Sequence, residues 1–121
     1  ESLQFIASAG AWDAASRRLA FTAVSRGRPT LNVVDIASPD EVVEHRLEGL
    51  DEAWHPSWSP DGRRLVFTGL SGGVSDLFVF DLETGRAENL TRDAFADFQP
   101  AWSPDGRRIA FVTDRFTSRL D

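Results

Sequence analysis

The chain has 121 residues with 13 basic against 19 acidic side chains, a net charge of −6, 41% apolar residues and no cysteine. This length allows one domain at most, and the apolar fraction argues against wholesale disorder. The acidic balance argues against a nucleic-acid surface, which needs a concentrated basic stripe, and the lack of cysteine excludes disulfides, thiolate catalysis and zinc–thiolate sites.

The first predicted elements form a repeat unit that starts near residue 11. Trp12 is followed nine residues later by Phe21, and the run 31–36 places Asp35 23 residues after Trp12. These runs are short and rich in β-branched and aromatic residues, which is typical of strands. We expect no helix in this unit.

The second unit repeats the pattern 46 residues later, with Trp58, Phe67 and Asp81 at the same offsets. Proline, Asp and Gly at positions 60–62 are typical of a tight turn. The unit predicts an inner strand around Trp58, a turn at 60–62, a strand at 64–69, a loop at 71–75, a strand at 77–82, a turn at 83–85 and an outer strand at 87–91.

A third copy begins 44 residues after the second. Positions 100–111 match positions 56–67 at nine of twelve residues, and Trp102 takes the place of Trp58. Four-stranded antiparallel meanders that recur about every 45 residues are typical of β-propeller blades. The sequence therefore predicts an all-β fold of about two and a half blades, with repeat units at about 11–56, 57–100 and 101–121.

The Trp and the Phe nine residues later are the largest apolar residues that the units share. We interpret them as anchors of the core between adjacent blades.

The string from Trp58 to Thr91, followed by 99–115, resembles the TolB-type propeller repeats, which are relatives of WD-repeat blades. The resemblance covers residues 54–114 strongly and 11–50 weakly. It implies a non-catalytic propeller of bacterial periplasmic or surface proteins that binds other proteins, or a propeller that gates an attached peptidase. Ala14-Ala15-Ser16 stand where the family has Pro-Asp-Gly, so we expect the first hairpin to turn differently.

Residues 69–73 match the G-x-S-x-G pattern of serine hydrolases. That nucleophile elbow requires a following helix and a downstream His, and the sequence has no His beyond position 55. We interpret the segment as a flexible loop between strands.

The only histidines are His45 and His55, which are ten residues apart and near several carboxylates. Their spacing fits no established zinc pattern, so we expect no metal or other cofactor. His55 and Gln99 hold the same place in consecutive units, directly before a proline. This indicates a channel-facing or rim position that tolerates different polar residues, and we interpret His55 as a loop residue rather than a ligand.

The two connections between units carry carboxylates that are expected at one end of a propeller. They are a candidate docking rim for a partner or calcium, and solvated loops are the plainer alternative. The candidate rim and channel residues are Asp51, Glu52, His55, Asp93, Asp97 and Gln99.

Two and a half blades would leave apolar faces uncovered, so the rest of a larger propeller or other copies of the chain must complete the ring. The start at Glu1 and the end at Asp121 within a unit favour a fragment of a longer protein. We expect no membrane insertion, because no run approaches the about 18 apolar residues of a membrane span. We expect no nucleic-acid partner, because the charge balance is acidic. Two functions remain open: a protein-binding or scaffold module, and the propeller of a larger peptidase.

Overall fold

The computed structural model describes residues 4–6, 10–92 and 97–113, which form strands and turns without a helix. The eleven strands of these residues are β1 (Gln4–Ile6), β2 (Ala11–Trp12), β3 (Arg18–Ser25), β4 (Arg28–Asp35), β5 (Val42–Arg46), β6 (Glu52–Trp58), β7 (Arg64–Ser71), β8 (Val74–Asp81), β9 (Arg86–Asn89), β10 (Asp97–Trp102) and β11 (Ile109–Thr113).

The strands form three antiparallel sheets in chain order. In sheet 1, β1 and β2 both pair with β3, followed by β4 and β5. Sheet 2 has the order β6-β7-β8-β9, and the described part of sheet 3 is the hairpin β10-β11. The expected propeller blades are thereby confirmed, and the sheets do not close into a ring.

Sheet 2 is buried on both faces because its side chains alternate between two neighbours. Leu65, Phe67 and Phe80 belong to the core shared with sheet 1. Val66 and Val79 point the other way and pack against residues of sheet 3. We call the side of each sheet that faces the preceding sheet its front face and the opposite side its back face.

The predicted core role of the aromatic pair is confirmed in sheet 2. Trp58 is 7% exposed and Phe67 is fully buried. The Trp58 indole Nε1 donates to the Ala11 carbonyl of sheet 1 at 2.8 Å. Trp12 holds the same position on the front face of sheet 1 but is 54% exposed, because no described sheet covers that face.

An arginine of each preceding sheet covers the Trp. The Arg18 guanidinium lies 4.4 Å from the centroid of the Trp58 ring and also donates to the Gly62 carbonyl at 2.8 Å. Arg64 lies over Trp102 in the same way, at 5.2 Å. At the end where the β2–β3 and β6–β7 turns lie, a cation–π contact thus joins each pair of consecutive sheets, and between sheets 1 and 2 the arginine adds a hydrogen bond.

The expectation that the first hairpin turns differently is wrong. The amide of Ser16 donates to the Asp13 carbonyl at 3.0 Å, as the amide of Gly62 donates to Ser59 at 2.9 Å. Ser16 takes the same left-handed backbone as Gly62, with φ of 57° against 74°. The turn keeps its shape because the Asp13 carboxylate accepts a backbone amide of the turn, as the Ser59 hydroxyl does in the second unit.

Asp13 is buried, and its carboxylate accepts three hydrogen bonds from its own turn. Its Oδ1 accepts from the amides of Arg17 and Arg18, and its Oδ2 accepts from Arg18 Nε at 3.0 Å. In the second unit the Ser59 hydroxyl accepts from the Arg64 amide and donates to Asp61. Burial raises the pKa of Asp13, but the hydrogen bonds and the Arg18 charge outweigh it and leave that pKa below its ordinary value.

The loop expected at 71–75 is a two-residue turn. Strand β7 continues to Ser71 and β8 begins at Val74, with Gly72 and Gly73 between them at φ of 59° and 84°. Two consecutive residues with positive φ form the turn whose twist matches that of the flanking strands.

We predict that Trp58→Ala lowers the free energy of unfolding by about 3–5 kcal/mol, the range for emptying a large buried aromatic site. The matched variant Trp12→Ala should cost much less, because more than half of that side chain is already in solvent. Chemical denaturation measures both values. Equal losses for the two variants would contradict the packing described here.

We predict that Ser16→Gly stabilises the protein by about 0.5–1 kcal/mol, because a glycine relieves the left-handed backbone at this position. Gly62→Ala should destabilise it for two reasons. Alanine would have to adopt the positive φ that glycine takes without strain, and its Cβ would lie 2.5 Å from Arg18 Nη2. Denaturant midpoints report both changes, and a destabilised Ser16→Gly variant would rule the explanation out.

The Asp13 carboxylate should also make stability depend on pH. A carboxylate whose pKa is lower in the folded than in the unfolded state stabilises the fold at pH values above its unfolded-state pKa. This contribution is lost as the pH falls through its folded-state pKa. Asp13→Asn should therefore cost about 1–3 kcal/mol near pH 7. The difference from the unsubstituted protein should shrink below about pH 4, and a pH-independent difference in urea titrations would contradict it.

Candidate functional site

The inner strands β6 and β10 carry His55 and Gln99 at equivalent positions. Each strand is the first of its sheet and forms the free edge of the described sheet. Both side chains are exposed, and each residue has a left-handed backbone, with φ of 57° for His55 and 52° for Gln99. His55 therefore lies within a strand. The interpretation of His55 as a loop residue, made from the sequence, is wrong.

A β-bulge at each position explains the left-handed backbone. The pairing of β6 with β7 shifts between Trp54 and Ser57, and the pairing of β10 with β11 shifts between Phe98 and Ala101. The buried prolines that follow His55 and Gln99 have no N–H to give to a ladder, so the strand leaves its register there. A left-handed residue before proline is strained, which marks both positions as candidates for function.

Contacts from the neighbouring sheet hold the second bulge in place. The backbone amide of Gln99 donates to the buried Thr68 Oγ1 at 3.2 Å, and the amide of Trp102 donates to Ser57 Oγ at 3.3 Å. Both acceptors belong to sheet 2. The Gln99 backbone is thus fixed by packing between sheets, while its side chain stays in solvent.

The candidate rim residues have different surroundings. Asp51 is exposed, and its Oδ2 accepts the amide of Gly72 at 3.0 Å, so this carboxylate supports the β7–β8 turn. Glu52 is exposed at the first residue of β6. Asp97 opens β10 opposite Thr113, and Asp93 lies outside the described residues. Within residues 4–6, 10–92 and 97–113, no three His or carboxylate side chains gather into a metal-binding group.

The two histidines do not form a joint site. His45 lies in β5, the outer strand of sheet 1, with its ring 4.8 Å from the ring of Phe80 in sheet 2. Burial there lowers the pKa of His45 below its ordinary value. His55 lies on an inner strand instead, so His45 acts in the packing between sheets.

The G-x-S-x-G segment is a hairpin, as the sequence indicated, although it is tight rather than a flexible loop. Ser71 ends β7, and its hydroxyl donates to the Gly49 carbonyl at 3.1 Å. Strand β8 follows directly where a nucleophile elbow needs a helix.

Sequence reasoning missed a polar cavity of about 360 Å³ at the hairpin between β3 and β4. Three arginines from this hairpin and from β5 line it. The signal was available, since these arginines break the agreement between the first and second units. It is weak because all thirteen basic residues are arginine, so these three do not stand out by residue type.

Comparisons with known proteins agree with this architecture. The model of the TolB beta propeller domain family matches residues 2–118. The crystal structure of TolB from Acinetobacter baumannii superposes with a TM-score of 0.76 at 27% identity, over 94% of this chain and 27% of that one. A search of curated proteins found no match.

Two peptidase structures share the fold at lower identity. The β-propeller domain of the Trilobed protease from Pyrococcus furiosus has a TM-score of 0.66 at 18% identity, over 90% of this chain and 33% of that one. The acylaminoacyl peptidase of Pyrococcus horikoshii has a TM-score of 0.62 at 18% identity, over 88% and 16%. The chain thus spans about a quarter of the TolB structure and a third or less of these peptidase chains.

The family match covers nearly the whole chain, and the sheets, their order and their stacking are those of propeller blades. The chain belongs to the TolB β-propeller family.

Proposed function

We propose that this chain is a non-catalytic propeller segment that binds a protein or peptide partner along its inner strands. The observation that carries the proposal is the pair of exposed, left-handed residues His55 and Gln99 at equivalent bulges. A backbone that is strained in the same way in two consecutive sheets serves to present a side chain, since the core gains nothing from an exposed polar group.

The difference between the two side chains supports recognition rather than structure. The bulge and the following proline stay the same in both sheets, while the presented group changes from an imidazole to an amide. A rigid scaffold that varies only its exposed groups is typical of binding surfaces. The exposed Asp51 and Glu52 extend this candidate surface at the start of β6, where their carboxylates would favour a partner with basic groups. Asp93 and Asp97 are further candidates for it on the sequence alone.

A second function is favoured by the likeness to the propellers of peptidases. In that case the chain is part of the propeller domain of a larger hydrolase, and His55 and Gln99 lie on the path by which substrates reach a catalytic domain outside these residues. Shared fold alone does not select between the two functions.

We place the protein in the bacterial envelope, following what the resemblance to TolB-type propellers implies. None of the described residues forms a helix long and apolar enough to cross a membrane. Its remaining partners are the additional blades, or further copies of the chain, that cover the open front face of sheet 1.

We predict that a photo-crosslinking amino acid at position 55 or 99 captures a discrete partner in cells that carry the protein. The same amino acid at Glu88, an exposed residue of the outer strand β9, is the matched control and should capture none. Mass spectrometry of the adducts identifies the partner. Identical adduct patterns at all three positions would contradict an inner-strand binding surface.

The nature of the adduct distinguishes the two functions. A stable protein partner supports the binding module. Capture of short peptides only, together with peptide hydrolysis by the protein that contains this chain, supports the peptidase propeller.

A further inference from the structure

We propose that the cleft between the outer part of sheet 1 and the end of β8 binds a segment of a partner protein in which an apolar side chain stands next to an arginine or a lysine. The cleft measures about 500 Å³, within the range of about 300–1,000 Å³ that is usual for ligand pockets. Apolar side chains and two carboxylates line it. We call it the outer cleft. His55 and Gln99 do not line it, so the inference does not depend on the proposed function.

Both walls of the outer cleft belong to sheets that are already in contact. Val33 and Val43 pair across β4 and β5 on the back face of sheet 1, which packs on sheet 2. Leu82 follows β8 and packs against the core that the two sheets share. A further blade or another copy of the chain would stack on the front face of sheet 1 or beyond sheet 3. The outer cleft therefore stays open in a completed ring.

The apolar part of the lining is more exposed than packing between sheets requires. Val43 is 54% exposed although sheet 2 already lies against its face of sheet 1. In sheet 2 the same place holds Glu88, because Val79 pairs with Glu88 as Val33 pairs with Val43. The fold thus accepts a charged residue there and does not need a valine. An apolar group exposed inside a concave surface is typical of binding sites.

Two carboxylates give the outer cleft a negative charge. Asp35 ends β4 and Glu41 directly precedes β5. Among residues 4–6, 10–92 and 97–113, no basic nitrogen lies within 4 Å of either carboxylate. Sheet 2 has a basic residue at the corresponding end, where Arg86 pairs with Asp81. Sheet 1 lacks that basic residue, so a cation from a partner would complement its two carboxylates.

The basic side chains of the lining do not oppose a cationic partner. Arg18 Nε donates to Asp13 Oδ2 at 3.0 Å, and Arg18 Nη2 donates to the Gly62 carbonyl at 2.8 Å, so the charge of this guanidinium is balanced by its own turn. Burial lowers the pKa of His45 below its ordinary value, so its imidazole is mostly neutral near pH 7. The charge left without a partner in the lining is therefore that of the two carboxylates.

These features together select the occupant. An aliphatic or aromatic side chain would remove the apolar surface of Val33, Val43 and Leu82 from water. A neighbouring arginine or lysine would form charge-assisted hydrogen bonds with Asp35 and Glu41. An acidic segment would meet like charges, and a free cation would leave the exposed valine in water.

A titration of the isotope-labelled full chain followed by nuclear magnetic resonance tests the proposal. The probe is the acetylated, amidated peptide Gly-Leu-Arg-Gly, and the matched probes are Gly-Leu-Glu-Gly and Gly-Gly-Arg-Gly with the same ends. We expect saturable shifts of amide signals within residues 33–45 for the first probe. The other two should each bind at least about fivefold more weakly, because one reverses the charge and the other lacks the apolar side chain.

Two variants of the protein remove the two parts of the lining separately. Val43→Ser and Glu41→Arg should each weaken binding of Gly-Leu-Arg-Gly by at least about fivefold. Both residues are exposed, so both variants should fold, and the dispersion of the spectrum verifies this. Glu88→Arg is the matched control, because it makes the same change of charge on the outer strand β9, outside the cleft. Its affinity should equal that of the unsubstituted protein.

Three results would overturn the proposal. They are the absence of saturable shifts, equal binding of the three peptides, and equal losses in the Glu41→Arg and Glu88→Arg variants. Shifts of the same signals on raising the protein concentration without peptide would assign the outer cleft to a second copy of the chain and would overturn it as well. None of these results affects the crosslinking expected at positions 55 and 99.

Discussion

The structure depends on the stacking of sheets, because no sheet of this chain can bury both faces by itself. Sheet 2 shows what the arrangement requires: alternate residues of β7 point to opposite neighbours, with Phe67 in one core and Val66 in the other. Trp58 crosses from sheet 2 to sheet 1 and is fixed there by the Ala11 carbonyl and the Arg18 guanidinium. Burial of apolar area drives this stacking, and the hydrogen bond and the cation–π contact set its geometry.

The turns near residues 13–16 and 59–62 show that different residues can build one backbone shape. A buried carboxylate holds the first turn, whereas a hydroxyl and an exposed carboxylate share that task in the second. The fold tolerates this exchange because the turn needs acceptors for its amides and a left-handed residue, not a particular sequence. The same tolerance allows residues of the repeat to change at positions that would contact a ligand or a partner, while the backbone keeps its shape.

Repetition separates structural residues from candidate functional ones within a single chain. Where equivalent positions keep both geometry and chemistry, as Arg18 and Arg64 do over their Trp rings, the role is packing. Where geometry is kept and chemistry changes, as at His55 and Gln99, the exposed side chain is the group that we propose to serve recognition. At another pair of equivalent places, the carboxylate of Asp76 in sheet 2 is replaced in sheet 1 by Thr30, with Arg28 and Arg46 beside it.

The amino-acid sequence alone determined the repeat, the strands, the blade architecture and the core role of Trp58, because period and alternation are local properties of the chain. It also paired His55 with Gln99 correctly, since both precede a proline at the same offset. Tertiary structure decided that Trp12 is exposed, that the Asp13 carboxylate takes over the hydrogen bonding of a serine in its turn and that His45 packs on Phe80. These outcomes depend on which groups meet between sheets. Arg46 is likewise distant along the chain from Arg26 and Arg28, and only the pairing of β4 with β5 brings it to the same cavity.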